Sequence, residues 1–403
     1  MLALYRTQDP SAKPIANEFT PVCFIEDLPS RKDAFEEAWL KTITDAMDAF
    51  IEVLPENLTA LATSDLLIGL ACRISIHSQG FADPASRRNN DCIGLFPLTA
   101  QFVNHSCLPN AHLVSKPNGC VAIRTLQEVP EGQELTVSYV DLFQPREQRR
   151  RDILMTRRFW CQCRRCNELL SSSVDRYMDG ILCRKCKFGV MIFEETKEVN
   201  DINALMTDTS VLDKEIRGKK AECESCKAKI PVTELVNILK RAIEDYAGAI
   251  VLVRQRRLPE ARKALETYLQ TYEKGELLHH YNSYLLNVLI PLMNTCVALN
   301  DIHAAVSHNK AILKRMALTN ALPKVAPETG EFWYHLGDLY NRLANAKLQQ
   351  SRNPSKSVTI LINRYLKEAK MAYMEAHKIF NVSYGKAHPK SQLALQRRQL
   401  KTL

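Results

Sequence analysis

The residues of this 403-residue chain with the plainest chemistry are its cysteines, thirteen in all. Cys161, Cys163 and Cys166 form a C-x-C-x-x-C, and Cys183 with Cys186 and Cys223 with Cys226 form two C-x-x-C pairs. Structural zinc takes four thiolate or imidazole ligands in a tetrahedron, and pairs two or three residues apart on a tight turn supply them with little strain. The two C-x-x-C pairs complete one site by themselves, and the 36 residues between Cys186 and Cys223 predict a protruding insertion. The triplet needs a fourth ligand from upstream, where Cys92, Cys107 and Cys120 are candidates. Cys107 stands out because it lies in Asn104-His105-Ser106-Cys107-Leu108-Pro109-Asn110, 54 residues before Cys161. Joining it to the triplet would clip two distant segments, and such a clip contributes folding free energy directly, because the site does not exist in the unfolded chain. All-thiolate sites are closed, so a catalytic zinc is not expected. Cys23, Cys72, Cys92, Cys120 and Cys296 are expected to be reduced and buried.

The elements that must carry these residues follow from periodicity. Ser30 and Asp33 resemble a helix start, and Phe35, Trp39, Ile43, Met47, Phe50 and Leu54 recur at three- and four-residue steps, which predicts a helix over 31–54. A second helix is expected over 65–76. Short β-prone runs follow at 92–96, 111–115, 120–126 and 135–139, with turn-forming links between them, so this is a small, mostly β unit. Residues 146–165 then carry eight Arg against only Glu147 and Asp152, on a helix leading into Cys161. The expected reading is a solvated helix face. Contact with an acidic substrate or nucleic acid is the sharper alternative, although the stretch lacks aromatic interleaving of the kind that stacks bases.

From about residue 232 the pattern is helical almost to the end. Pro259-Glu260-Ala261-Arg262-Lys263-Ala264, Ile302-His303-Ala304-Ala305 and Lys367-Glu368-Ala369-Lys370-Met371-Ala372 each place small residues early in a helix, where backbones of paired helices approach. Their unequal spacing suggests a degenerate tetratricopeptide-like array, with a plain helical bundle as the alternative.

Composition narrows the class. Hydrophobic residues make up 46% and charged residues 25%, which excludes a mostly disordered chain. The longest apolar run, 285–299, is interrupted by Asn287, Pro291 and Asn294 and falls short of the roughly 20 residues a membrane span needs. No basic segment leads into an apolar one near residue 1, so secretion is not expected and the cysteines are read as reduced, with a cytoplasmic or nuclear location. A net charge of +9 suits anionic partners without requiring them.

Four motifs in order, Asn104-His105-Ser106-Cys107-x-Pro109-Asn110, Gly132-Gln133-Glu134-Leu135, Ser138-Tyr139-Val140-Asp141 and Phe159-x-Cys161-x-Cys163-x-x-Cys166, resemble the C-terminal half of a SET domain with its post-SET zinc cluster. Gly94-Leu95-Phe96-Pro97 and the helical C-terminal array point to the SET and MYND (SMYD) branch. The resemblance implies an α+β fold: a small β-rich SET core with a post-SET zinc cluster, followed by an α-helical tetratricopeptide-like domain. The expected divisions are a helical region at 1–60, the SET half at 61–145, a Cys-rich post-SET and zinc-ribbon-like region at 146–230, and helical repeats at 231–403.

The activity the resemblance implies is S-adenosylmethionine-dependent methylation of a lysine in a protein substrate. By motif, Asn104 and His105 would contact the cofactor, Phe159 would lie against its adenine or pack in the core, and Tyr139 would be the active-site tyrosine. Two structural zincs would be held by Cys107, Cys161, Cys163 and Cys166, and by Cys183, Cys186, Cys223 and Cys226. The family's N-terminal Gly-x-Gly loop and MYND finger have no counterpart: residues 1–60 contain no glycine and one cysteine, Cys23. A loop whose backbone must approach a ligand closely needs glycine. The expectation is therefore a truncated or diverged member with impaired catalysis. The rival reading is a non-catalytic, zinc-stabilised scaffold that binds a peptide in its helical groove.

Overall fold

The computed structural model describes residues 24–59, 62–82, 91–95, 99, 102–116, 120–193, 218–350 and 354–399. Cys23 and the expected insertion at 194–217 lie outside the described residues.

Helix α1 (Glu37–Glu52) packs on α2 (Ser64–His77) through Phe35, Ile68, Cys72 and Ile76. The first helix starts later than the pattern predicts. Arg31 adopts a left-handed conformation (φ 47°), a single 3-10 turn follows at Lys32–Ala34, and extended Phe35 interrupts the chain before the helix begins. The apolar stripe also ends early, with Phe50 43% exposed. Thr63 caps α2 by accepting from the Leu66 N–H, which satisfies one of the orphan donors of the first turn.

Three two-stranded sheets follow. β1 (Gln79–Ala82) pairs antiparallel with β2 (Asp91–Gly94), and β4 (Ala111–Ser115) pairs antiparallel with β5 (Val121–Thr125). β3 (Asn104–His105) runs parallel to β6 (Thr136–Val137), with the β4–β5 hairpin between them in sequence. The expected strand over 135–139 shrinks to two residues for a local reason. The Ser138 hydroxyl donates to the Val140 carbonyl, and the Tyr139 N–H is taken by the His105 imidazole instead of a neighbouring strand. Cys120, expected to be buried, is exposed at the start of β5's hairpin arm, whereas Cys72 and Cys296 are fully buried.

Helix α3 (Arg146–Arg157) leads into the cysteine triplet. A four-stranded antiparallel sheet follows, in the order β10 (Lys229–Pro231), β9 (Lys220–Cys223), β8 (Val190–Ile192), β7 (Ile181–Leu182). The rest is helical: α4 (Val232–Arg254), α5 (Leu258–Leu269), α6 (Ser283–Ala298), α7 (Ile302–Thr319), α8 (Pro327–Gln350), α9 (Lys356–Ser383) and α10 (Pro389–Arg397). Ala261, Ala305, Ala369 and Ala372 are buried where successive helices meet. A Cβ on Gly337 of α8 would stand 2.7 Å from the Tyr373 ring of α9, so the closest approach of these two helices depends on glycine. The long apolar run forms α6, which is buried almost all around, with Leu285, Leu289, Leu292 and Cys296 among its core residues. Among the described residues no helix is long and apolar enough to cross a membrane.

Candidate functional site

The motif after Val103 is fixed by side chains that act as backbone. The Asn110 amide donates to the Glu134 carbonyl (2.8 Å) and accepts from the Thr136 N–H (2.8 Å), closing the gap between the two motif segments beside the β3–β6 pair. His105 then joins two sites. Its Nδ1 accepts from the Tyr139 N–H at 3.0 Å, so in the neutral ring the proton sits on Nε2, which faces the Cys107 sulfur at 3.2 Å. Burial pushes the His105 pKa down to about 4, in keeping with a neutral ring.

Cys107, Cys161, Cys163 and Cys166 place their sulfurs within 4.8 Å of one another, and so do Cys183, Cys186, Cys223 and Cys226. Four sulfurs about 2.3 Å from a common tetrahedral centre stand about 3.8 Å apart. The observed pairs Cys107–Cys166 at 3.5 Å, Cys183–Cys226 at 3.6 Å and Cys186–Cys223 at 3.7 Å match that spacing. Both sets therefore fit a tetrahedral thiophilic ion. In the second set each turn ends on a left-handed lysine, Lys187 (φ 63°) and Lys227 (φ 59°). Backbone N–H groups of Gly189 and Cys226 point at the sulfurs of Cys186 and Cys223. Gly189 cannot carry a side chain there, because a Cβ would fall 2.7 Å from the Cys223 sulfur.

The arginine-rich stretch is where the structure departs most from expectation. Arg149 and Arg165 are almost fully buried rather than solvated. They and Arg146 converge on buried Asp175: Arg149 at 2.7 and 3.0 Å, Arg165 at 2.8 and 3.0 Å, Arg146 at 3.3 Å. Burial pushes the Asp175 pKa up, but the arginines override it and hold the carboxyl below its usual range. One carboxylate offsets only one of three guanidiniums. The sulfur cluster lies next to them, with Arg149 reaching the Cys166 sulfur at 3.7 Å. Four thiolates around a divalent ion would carry two negative charges, which equals the deficit that Asp175 leaves. Spacing favoured the solvated reading because a cation's partner at Asp175, and behind it the sulfurs, cannot be seen in the local pattern.

Two cavities meet at Tyr139. One, about 330 Å³, is lined by Arg31, His77, Gln79, Asn104, His105 and Phe159 together with Tyr139 and Arg157. The other, about 700 Å³, is a cleft between the β unit and the helices, bounded by His112, Asp141, Asn287, Met316 and Glu328. Gln79, Tyr139 and Arg157 border both. The Tyr139 hydroxyl donates to the Val103 carbonyl at 2.6 Å, which leaves its oxygen lone pairs to accept. The buried Gln79 side-chain oxygen has no hydrogen-bond partner among the described residues, and a buried unpaired acceptor costs free energy until something fills its demand. The Asn104 amide donates to Glu134 at 2.6 Å. Phe159 is half-buried, its ring 6.5 Å from that of His105 and 5.7 Å from the Arg31 guanidinium.

A parallel two-residue bridge carrying an Asn-His pair, a downstream cysteine triplet folded back on it and a tyrosine bordering two cavities thus come together in one region. Residues 12–140 match the SET domain family model. Over 327 residues, 81% of this chain and 58% of the relative, the sequence is 23% identical to N-lysine methyltransferase SMYD2 of Sus scrofa. It is 31% identical over 120 residues (27% of this chain, 30% of the relative) to histone-lysine N-methyltransferase ASHR2 of Arabidopsis thaliana. It is 29% identical over 126 residues (30% and 26%) to SET domain-containing protein SmydA-8, isoform A, of Drosophila melanogaster. The chain spans about half the length of the SMYD2 relatives it matches. Residues 12–140 thus carry a SET domain, and the wider similarity of the chain is to SET-domain proteins of the SMYD type.

Proposed function

We propose that the chain is a protein-lysine N-methyltransferase that uses S-adenosylmethionine, with two structural zinc ions. The observation that carries this reading is the junction at Tyr139: a pocket bearing Asn104, His105 and Phe159 on one side, and a cleft wide enough for a peptide on the other. The pocket suits a nucleoside-sized ligand in volume, and the unpaired Gln79 oxygen offers it an acceptor. When bound, the cofactor supplies an electrophilic methyl group. Asn104 and His105 would hold it, and Phe159 would lie against its adenine. The substrate lysine would enter from the cleft, shedding water as it passes between apolar walls, and catalysis is then mostly placement of its amine. The Tyr139 oxygen, its own proton committed to Val103, would accept from the amine and orient it. Cys107, Cys161, Cys163 and Cys166 would bind one zinc and so fix the floor under His105. Cys183, Cys186, Cys223 and Cys226 would bind the second and fix the small sheet against the helices. A cytoplasmic or nuclear location goes with this activity.

A depression of about 510 Å³ among α7, α8 and α9, lined by Lys310, Leu313, Trp333, Met371, Met374 and Glu375, supports a second role as a peptide-binding groove.

Titration calorimetry with S-adenosylmethionine, followed by mass spectrometry of arrayed lysine peptides incubated with the protein, tests the first reading. Saturable binding and a 14 Da gain on lysine are expected; no heat at millimolar cofactor would overturn it.

A further inference from the structure

Arg157 stands where the two cavities meet, and nothing in the ordinary chemistry of methyl transfer asks for a cation there. Its guanidinium lies over the Tyr139 ring, 4.8 Å from the centroid. One terminal nitrogen donates to the carbonyls of Ile76 (2.6 Å) and Ser78 (2.7 Å) at the end of α2, which fixes the group in place. Its Nε is buried with no hydrogen-bond partner, and among the described residues no carboxylate pairs with it. The titratable and charged groups around it are Tyr139 after β6, His105 on β3, His77 at the end of α2 and Arg31 before α1, with Glu134 beyond Tyr139, and on the cleft side His112 of β4, Asp141 after β6 and Glu328 of α8. Burial lowers the pKa of Arg157, with Tyr139 opposing, yet a guanidinium stays protonated at any working pH. Burial also holds the His77 pKa down, with Arg157, Arg31 and Arg73 adding to it. This is an immobile positive charge, with no carboxylate bonded to it among the described residues, at the edge shared by cleft and pocket.

A substrate lysine arrives as an ammonium and must become an amine before it can attack. A like charge within about 4–6 Å disfavours the charged form, and lysines beside a second cation are activated in this way. Resting on the methyltransferase reading above, we propose that Arg157 is the residue that drives the proton off the incoming lysine. The ammonium gives its proton to water in the cleft. The freed lone pair forms the N–CH3 bond, the S–CH3 bond breaks, and its electrons stay on sulfur, which leaves as a neutral thioether.

The test is the pH dependence of kcat/KM, from pH 6.5 to 10, on a lysine peptide that the unmodified protein methylates. Arg157→Met should move the rise to higher pH by about one unit or more. The rate at pH 7.5 should fall about tenfold or more, with recovery under alkaline conditions. Arg157→Lys should keep the rise close to its original pH. Arg157→Gln, which retains an N–H donor for the α2 carbonyls without the charge, carries the same expectation as Met and serves if Met unfolds the protein. A Met or Gln variant with an unshifted profile, or with a faster neutral rate, would overturn the role of Arg157 alone. Failure of the unmodified protein to bind S-adenosylmethionine or methylate any peptide would remove the underlying reading and this inference with it.

Discussion

Arg165 and Ala321, 156 residues apart, are joined by a 3.0 Å hydrogen bond from guanidinium to carbonyl. The same side chain donates to the carbonyls of Cys107 (3.1 Å) and Leu142 (3.2 Å) and to Asp175. A single buried arginine thus ties the sulfur-bearing loop, the segment after Tyr139 and the link between α7 and α8 into one body. The last long helix closes the circuit from the other side, where Arg124 of β5 donates to the carbonyl of Val382 at 2.9 Å.

Asp175 is the keystone of that arrangement. Asp175→Asn should cost about 3–5 kcal/mol, the usual penalty for leaving buried charges without their counter-ion. Urea denaturation monitored by circular dichroism measures it. A loss under about 1 kcal/mol would mean that the sulfurs alone neutralise the arginines.

Metal content separates the two clusters. The protein should carry two zinc ions by elemental analysis, and Cys107→Ser should retain about one, because a closed site tolerates no missing thiolate. A serine variant that still holds two would show that Cys107 is not a ligand.

Tyr139→Phe should leave the affinity for S-adenosylmethionine within about twofold and cut methylation about a hundredfold, the scale expected when a reacting group is misplaced. Calorimetry and a peptide assay check the two halves separately. Unchanged methylation would take the hydroxyl out of the mechanism.

His279 gives a pH dependence to stability. It is 6% exposed, its ring stacks on Tyr177, its backbone N–H donates to the Gly180 carbonyl, and its ring Nδ1 accepts from the Tyr281 N–H. Burial, and then neighbouring His280, push its pKa down to about 4. The unfolded chain binds that proton from about pH 6.5 downward and the native chain resists it until about 4. Stability therefore falls as the pH drops through that window, by about 3 kcal/mol at most. Thiolate ligands also protonate in acid, so the comparison is with His279→Phe: the gap in stability between the two proteins should narrow as pH falls from 6.5 to 4. A constant gap would refute the burial argument.

The positions legible in the sequence were those set by short-range rules. Strand β4 falls on the β-prone run 111–115, and the seven closely spaced cysteines meet, with Cys107, in two groups of four because their spacing already makes turns. What escaped was set by distant partners. Residues 146–165 read as a wet helix face, since nothing nearby announced that Asp175 and four sulfurs would lie behind Arg149 and Arg165. The helix over 31–54 began six residues late because Phe35 is drawn out of line to pack on α2 and under the Arg158 guanidinium, 4.5 Å from its ring. The place of Arg157 is illegible locally for the same reason: its position between two cavities is a property of several chain segments at once.

The reach of Arg165 has a bearing on how the protein is made. Chains emerge from the ribosome from the N-terminus at about 5–20 residues per second. The loop at Cys107 is therefore out for several seconds before Cys166 can join it, and the Ala321 carbonyl follows later still. During synthesis the β unit holds open sheet edges and loose thiols with nothing to bind them, a window in which holding chaperones and the supply of free zinc would decide how much product survives.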